Sequence, residues 1–189
     1  MSATHRRPSR FARLLVLAAA ACVAPTAAHT APAPPAAEDR DRDLGSIDGI
    51  LDRLYGAISG PAGPRDWDAF RTLFAPGARL IPTVRRPGEP AAARVLTPDE
   101  FVEASAPRLK EEGFFEREVA RRVDRFGAMA HVFSTYESRH AKDDAKPFSR
   151  GINSIQLLDD GRRWWVVTIF WDAERAGTTI PPEYLPRQE

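Results

Sequence analysis

Cysteine is almost absent from this chain of 189 residues, since Cys22 is the only one. A single cysteine excludes a disulfide framework and any cysteine-based zinc site within the chain. Neither sign of charge is in clear excess, because 27 lysines and arginines oppose 26 aspartates and glutamates. This balance gives no general reason to expect nucleic acid as a partner.

Several motifs of catalysis are also missing from the sequence. It contains no glycine-rich phosphate loop, no His/Asp cluster with metal-ligand spacing and no nucleophile elbow. We therefore expect no cofactor and no metal ion, and we assign no catalytic residue from the sequence. The composition, with 43% hydrophobic and 28% charged residues, is that of an ordinary globular protein with one domain and tails.

Residues 1–28 have the pattern of an export signal. Four arginines precede the apolar stretch Leu14–Val23, which is shorter than the roughly 20 apolar residues that span a bilayer. Small residues at Thr26 and Ala28 then indicate a cleavage site before His29. Removal of the four arginines leaves 23 basic residues against 26 acidic ones, so the formal charge of the remaining chain is −3.

The destination of the chain has two readings. A cleaved signal predicts a periplasmic or secreted protein, whereas lipidation of Cys22 would make it a membrane-anchored lipoprotein. Typical lipoprotein signals carry leucine where this chain has Ala19. Residues 29–45 are rich in proline and alanine and then densely charged, which predicts a disordered tether.

The folded domain is expected over residues 46–175, with residues 176–189 as a C-terminal tail. Apolar residues recur at helical spacing after Ser46, Asp66 can cap a shorter helix that ends at Pro76-Gly77, and Thr97–Glu100 forms a capping box for a third helix through about Lys110. Strands are expected over 78–84, 92–96, 114–125, 129–140, 150–159 and 163–172.

Asp160-Gly161 indicates a tight hairpin between the last two strands. A two-residue turn there would place Leu157 opposite Trp164 and Asn153 opposite Thr168. Both faces of this hairpin are largely apolar, so we expect the sheet to be covered on both sides. Helices would cover one face, and either the tail around residues 180–186 or a second subunit would cover the other.

Three helices followed by a curved, mostly antiparallel sheet of four to six strands define an α+β fold. In this order of elements the chain resembles the nuclear-transport-factor-2-like (NTF2-like) superfamily, and more narrowly its SnoaL-like bacterial members. The resemblance rests on the first helix with Tyr55, Asp66–Pro82, Thr97–Phe101 and Arg150–Glu174. It implies a cone-shaped fold whose helices and sheet enclose a pocket, and a homodimer that forms through the sheet.

The enzymes of this superfamily include steroid isomerases, dehydratases, epoxide hydrolases and cyclases, while other members only bind ligands or proteins. Tyr55 matches the tyrosine of the steroid-isomerase type, which stabilises the oxyanion in those enzymes. That type has its carboxylate base at the end of the first strand, where this chain has Ile81-Pro82-Thr83. The dehydratase type would use His131 with an acidic partner that the sequence does not identify, and no residue set for epoxide hydrolysis stands out.

Five residues are candidate ligand contacts within the cone: Tyr55, His131, Asn153, Trp164 and Thr168. Asn153 and Thr168 would otherwise bond each other as buried struts, and His131 would otherwise be an ordinary strand histidine. Glu116, Glu118 and Glu137 alternate with arginines, which favours ion pairs between strands over an acid-base role.

The resemblance thus favours binding of a small, mostly apolar molecule in the cone, without catalysis. The first alternative is an isomerase, dehydratase or cyclase that uses an acid-base pair in the same pocket. The second is a dimeric structural or partner-binding domain in which side chains fill the cone.

Overall fold

The computed structural model describes residues 43–187. The predicted export signal, Cys22, and residues 29–42 of the predicted tether lie outside the described residues. The helices are α1 (Ile47–Ile58), α2 (Trp67–Arg71) and α3 (Pro98–Glu111), and a single 3-10 turn covers Pro182–Tyr184. The strands are β1 (Phe74–Val84), β2 (Ala92–Ala93), β3 (Phe115–Phe126), β4 (Met129–Arg139), β5 (Ser149–Asp159) and β6 (Trp164–Ala173).

The helices begin where the sequence predicts them. The side chain of Ser46 accepts a hydrogen bond from the Gly49 amide at 3.0 Å and so caps α1. In α3 the side chain of Glu100 accepts from the Thr97 amide at 2.7 Å, which completes the capping box. Helix α2 ends sooner than expected, because the chain already enters β1 at Phe74 and passes through Pro76-Gly77 within that strand.

The strands form one six-stranded sheet in the order β2-β1-β6-β5-β4-β3. All neighbouring strands are antiparallel except β1 and β6, which run parallel. Strand β2 is only two residues long, so the prediction of a strand to Leu96 was too long; Leu96 instead forms an isolated bridge with Leu80. The predicted α+β class with a mostly antiparallel sheet is confirmed.

The predicted register of the last hairpin is wrong. Strand β5 pairs Leu157 with Val166 and, after a bulge, Asn153 with Trp171 rather than with Thr168. The turn is longer than two residues because the Asp160 carboxylate accepts hydrogen bonds from the amides of residues 162 and 163, both at 2.9 Å. The bulge then turns Ile169 and Trp171 toward the helices.

The helices cover one face of the sheet, here called the inner face. Its strands contribute Val132, Ile155, Leu157 and Val166 to a core that includes Ile50 and Leu51 of α1 and Phe70 of α2. The opposite, outer face is partly covered by the tail, as the sequence allowed: the rings of Tyr184 and Phe133 meet edge to face with their centres 4.8 Å apart. Phe170 on this face remains 45% exposed.

Candidate functional site

An open cavity of about 290 Å³ lies between the inner face of the sheet and the helices. Its lining is mainly apolar and aromatic, with a few polar side chains: Leu54, Tyr55, Ile58, Phe70, Leu80, Phe101, Ala104, Ser105, Arg108, Leu109, Phe114, Glu116, Tyr136, Asn153, Ile169 and Trp171. The many aromatic residues of the hairpin therefore do not fill the cone. A concave apolar site with few polar groups is the usual form of a small-molecule site.

Aromatic rings build one wall of the cavity. Phe101 of α3 stacks on Phe70 of α2 with ring centres 5.5 Å apart, and its ring meets Trp171 of β6 edge to face at 6.3 Å. These contacts connect both helices to the sheet. They also restrict the movement of the three rings, because each ring packs against another aromatic ring.

Glu116 on β3 is the acidic residue of the lining. Its carboxylate accepts a hydrogen bond from the Ser138 hydroxyl at 2.7 Å, and its backbone is joined to α1 through the Ser59 side chain. Burial raises the pKa of Glu116 to about 7, although hydrogen bonds from Ser138 and Asn153 act in the opposite direction. The carboxyl group can therefore hold or release a proton near neutral pH.

A hydrogen-bonded chain runs beside Glu116 from the cavity toward the surface. The Asn153 amide nitrogen donates to the Tyr55 hydroxyl oxygen at 3.1 Å, and this hydroxyl lies 2.7 Å from that of Ser134. Ser134 in turn donates to the carboxylate of Glu118, which pairs with Arg121 at 3.2 Å.

The charge of Glu118 sets the direction of these hydrogen bonds. A carboxylate only accepts, so the Ser134 hydrogen points to Glu118 and the Ser134 oxygen accepts from Tyr55. The Tyr55 oxygen then accepts from Asn153. The Tyr55 hydrogen is thus directed to Ser134 and not into the cavity, which differs from the oxyanion-stabilising role that the resemblance implies.

Tyr136 on β4 is the second phenol of the lining. Burial raises its pKa to about 12, and the nearby Glu116 acts in the same direction. Its ring lies against Gly151 of β5, where a side chain would meet the Tyr136 hydroxyl oxygen at 2.6 Å. The absence of a side chain at Gly151 therefore makes room for this phenol.

The structure separates the five candidate ligand contacts. Tyr55 and Asn153 line the cavity and bond each other. Trp164 is 3% exposed and belongs to the hydrophobic core, outside the cavity lining. His131 and Thr168 belong to the outer face, because both pair with Gln156 of β5, next to inward-facing Ile155.

The position of Thr168 corrects the expectation that it faces Asn153. That expectation assumed a regular two-residue hairpin, whereas the bulge in β6 moves Thr168 to the outer face and Trp171 to the cavity. His131 instead lies 2.9 Å from the Ser154 hydroxyl on the outer face. Its place agrees with the strand alternation that the sequence predicts, and this alternation separates it from the cavity.

Glu116 lines the cavity although the sequence does not indicate it as a ligand contact. The expected ion pairing is right for Glu137, which bonds Arg139 at 2.9 Å and Arg117 at 3.3 Å, but it is wrong for Glu116, which bonds Ser138 instead. Alternation along β3 could have indicated that Glu116 and Arg117 face opposite sides. It could not indicate which side meets the helices, because that depends on pairing with β4.

The arrangement combines an apolar chamber with one titrating carboxyl group and fixed amide and hydroxyl donors. It can bind a molecule of matching shape and exchange a proton with it. Among residues 43–187 no group of three or more His, Cys, Asp or Glu side chains could hold a metal ion. Within the same range, no helix is both long enough and apolar enough to cross a membrane.

Comparison with known proteins identifies the fold. No family model matches the chain, and no curated protein matches it. A solved NTF2-like protein of unknown function from Pseudomonas putida is similar, with a TM-score of 0.52 at 12% identity over 68% of this chain and 84% of that one. A protein of unknown function with a cystatin-like fold from Nostoc punctiforme also has a TM-score of 0.52, at 11% identity over 69% and 90% of the two chains.

A proposed dehydratase from the NTF2-like family of Streptomyces avermitilis has a TM-score of 0.50 at 12% identity, over 71% of this chain and 98% of that one. These identities establish a shared architecture and nothing about activity. The described part of this chain has the NTF2-like fold, an α+β cone with a six-stranded curved sheet.

Proposed function

We propose that this chain is a SnoaL-like protein that binds a small, mostly apolar molecule in the cone cavity. The observation that carries the proposal is the open cavity of about 290 Å³ whose walls are mainly apolar and aromatic. Glu116, Asn153 and Tyr136 supply polar groups within the lining. A ligand would thus bury an apolar body and direct its polar atoms to polar side chains of the lining, since buried polar groups require partners.

Native mass spectrometry of the purified chain tests this proposal, because it reports a co-purified ligand directly. A thermal-shift panel of small apolar metabolites provides the second measurement, and a bound ligand raises the melting temperature by mass action. We expect at least one class of apolar molecule to stabilise the chain.

A matched pair of variants ties the binding to the cavity. Ala104→Trp would introduce an indole into the cavity, whereas Glu103→Trp adds the same side chain at an exposed neighbouring position of α3 outside the lining. We expect the first variant to abolish the thermal shifts and the second to retain them. Equal shifts in both variants, or no ligand for the unmodified chain in either assay, would contradict the proposal.

Acid-base catalysis is the second candidate function, and Glu116 is the observation that favours it. Burial raises the pKa of this cavity-lining carboxyl group to about 7, which suits a group that takes up and releases a proton near neutral pH. The reaction class is that of an isomerase, dehydratase or cyclase, in which a proton leaves carbon and returns to carbon or oxygen. The base would lie on β3 rather than at the end of β1.

Hydrogen exchange on small apolar ketones in D₂O, followed by NMR, tests the catalytic candidate. The ionised carboxylate would remove a proton next to the carbonyl, so exchange should rise with pH through about 7. We expect Glu116→Gln to abolish the enzymatic exchange and Glu103→Gln, which changes an exposed residue of α3, to leave it intact. Exchange no faster than in buffer, or unchanged in Glu116→Gln, would exclude Glu116 as this base for those ketones.

We also propose that the chain forms a homodimer through the outer face of the sheet. Phe170, Leu158 and Val167 are exposed by 45%, 39% and 36% of their surface. The tail covers Phe133 but leaves Phe170 accessible. An apolar patch that remains on a sheet face is a suitable surface for a second copy of the chain.

For residues 1–28 we propose export, with Cys22 as the alternative point of lipid attachment. The support is the run of four arginines followed by an apolar stretch and small residues. Mass spectrometry of the protein from its native cells tests both readings. A soluble form that starts at His29 supports cleavage, a lipid-modified form that starts at Cys22 supports anchoring, and an intact N-terminus contradicts both.

A further inference from the structure

A cationic side chain also belongs to the cavity wall. Arg108 of α3 and Glu116 are the two charged residues of the lining. Within residues 43–187 the Arg108 guanidinium donates no hydrogen bond, whereas nearby Arg65 donates four to the backbone carbonyls of residues 58, 60, 61 and 63. Arg65 is therefore a structural residue, while the donors of Arg108 remain available at the cavity.

Neither the ring contact nor the ion pair of Arg108 occupies its N–H donors. Its guanidinium lies 5.9 Å from the centre of the Phe114 ring, which also lines the cavity. Glu112, one helical turn away, approaches Arg108 at 3.7 Å, and the two side chains are 54% and 58% exposed. Exposed helix pairs of this kind contribute only about 0.3–0.5 kcal/mol. A bound anion can therefore displace Glu112.

Arg108 and Glu116 act as separate polar groups of the cavity. The pKa of Glu116 depends on its burial and on hydrogen bonds from Ser138 and Asn153, and Arg108 is not among its causes. A close cation would lower the pKa of the carboxyl group. The cavity thus offers a cationic position at Arg108 and a separate position at Glu116, which is neutral when protonated and negatively charged when ionised. Apolar side chains such as Leu109 and Ile169 belong to the same lining.

We propose that the ligand of this cavity is a small monocarboxylic acid with an apolar body, and that its carboxylate binds Arg108. The inference rests on the proposed binding function and specifies the ligand of that same site. A guanidinium presents two parallel N–H donors that match a carboxylate. A singly charged anion fits better than a multiply charged one, because the lining supplies one cation and otherwise mainly apolar walls.

Isothermal titration calorimetry with matched acid and amide probes tests this assignment. The pairs are octanoate with octanamide and cinnamate with cinnamamide, which differ in charge but hardly in shape. We expect each acid to bind more tightly than its amide by about five- to tenfold, the range for a partly exposed charge-assisted hydrogen bond. Added KCl should weaken the binding of the acids and leave that of the amides nearly unchanged.

Four variants in and around α3 and in β3 locate the effect. Arg108→Gln should remove the preference for the acids while it retains the binding of the amides, and Arg122→Gln, at an exposed position of β3 outside the lining, should change neither. Glu112→Gln removes the competing carboxylate and should tighten the binding of the acids. Glu103→Gln removes an equal charge from α3 and should have a smaller effect.

The outcomes separate this inference from the broader proposal. If the amides bind as tightly as the acids, or if Arg108→Gln keeps the preference for the acids, the carboxylate assignment is wrong while the cavity remains a binding site. If no probe binds and the thermal-shift panel also gives no ligand, both proposals fail.

Discussion

The Asn153 amide nitrogen donates to the Tyr55 hydroxyl oxygen at 3.1 Å and joins two residues that are 98 positions apart in the chain. Asn153 lies in the middle of β5 and Tyr55 on the buried side of α1. The contact attaches the first helix to the sheet at the cavity wall. It also fixes the orientation of the amide that donates to Glu116.

The first prediction concerns this contact. Tyr55→Phe keeps the ring but removes the hydroxyl group, so the Asn153 amide and the Ser134 hydroxyl each lose a buried partner. We expect the free energy of unfolding to fall by about 1–3 kcal/mol, as for other buried groups that lose a hydrogen-bond partner. Urea denaturation measures the change.

Tyr184→Phe is the matched control. The Tyr184 phenol makes no hydrogen bond within residues 43–187, and its ring contact with Phe133 would remain. We expect its effect to stay within about 0.5 kcal/mol. Equal losses in the two variants would show that the hydrogen bonds of Tyr55 contribute nothing specific.

Much of the architecture follows from local sequence signals. The caps at Ser46 and Thr97 and the helical spacing of apolar residues predict α1 and α3, since each signal depends only on neighbours within a few residues. Alternation along β4 likewise predicts which residues share a face with His131. The structure confirms these predictions. They could be made from the sequence because each depends only on residues that are close together in the chain.

The site depends on distant pairing and is predicted less well. Tyr55 and Asn153 line the cavity. Because of a bulge in β6, Trp171 rather than Thr168 lies opposite Asn153 and lines the cavity. A second bulge, between Glu118 and Ala120, shifts the pairing of β3 with β4. Bulges change the face of every later residue in a strand, and a single sequence does not mark their position.

The second prediction is a pH dependence of stability that Glu116 causes. Its pKa rises from 4.5 to about 7 on folding, so between these values the folded state binds the proton more tightly than the unfolded state. The stabilising contribution of the protonated group is complete below about pH 4.5 and is lost as the pH rises to about 7. The slope that one proton adds is at most about 1.4 kcal/mol per pH unit.

Glu116→Gln isolates this effect, because glutamine does not titrate. We expect the variant to gain stability relative to the unmodified chain as the pH increases from about 5 to about 7, and the difference to level off above that. Urea denaturation at a series of pH values measures it. Glu103→Gln serves as the control, and parallel pH profiles for all three proteins would show that the pKa of Glu116 is not raised.

The third prediction concerns the space that Gly151 provides. A side chain at Gly151 would lie 2.3 Å from the Asp172 carbonyl oxygen and 2.6 Å from the Tyr136 hydroxyl oxygen. The first of these atoms belongs to the backbone and cannot rotate away, so Gly151→Ala must shift a strand and displace Tyr136. We expect a loss of about 1–3 kcal/mol in the free energy of unfolding, as for other overpacked sites.

Gly56→Ala is a control for which we expect no loss of stability. Gly56 lies within α1, and a side chain there would meet nothing within 4 Å. Alanine favours a helix over glycine by up to about 1 kcal/mol, so this variant should be at least as stable as the unmodified chain. Thermal and urea denaturation compare the two, and a Gly151→Ala protein as stable as Gly56→Ala would refute the close packing against Tyr136.

The last prediction tests the proposed dimer. Phe170→Glu would place a charge on the exposed apolar surface of the outer face, where a second copy of the chain would have to bury it without a partner. We expect light scattering after size exclusion to report a dimer for the unmodified chain and a monomer for this variant.

Val95→Glu adds the same charge at a residue that is 56% exposed and lies before α3, outside the sheet. It should leave the dimer intact. A monomer for the unmodified chain would contradict the proposed dimer. A dimer that survives Phe170→Glu would exclude the surface around Phe170 as its interface, because an unpaired buried charge costs more free energy than a weak contact supplies.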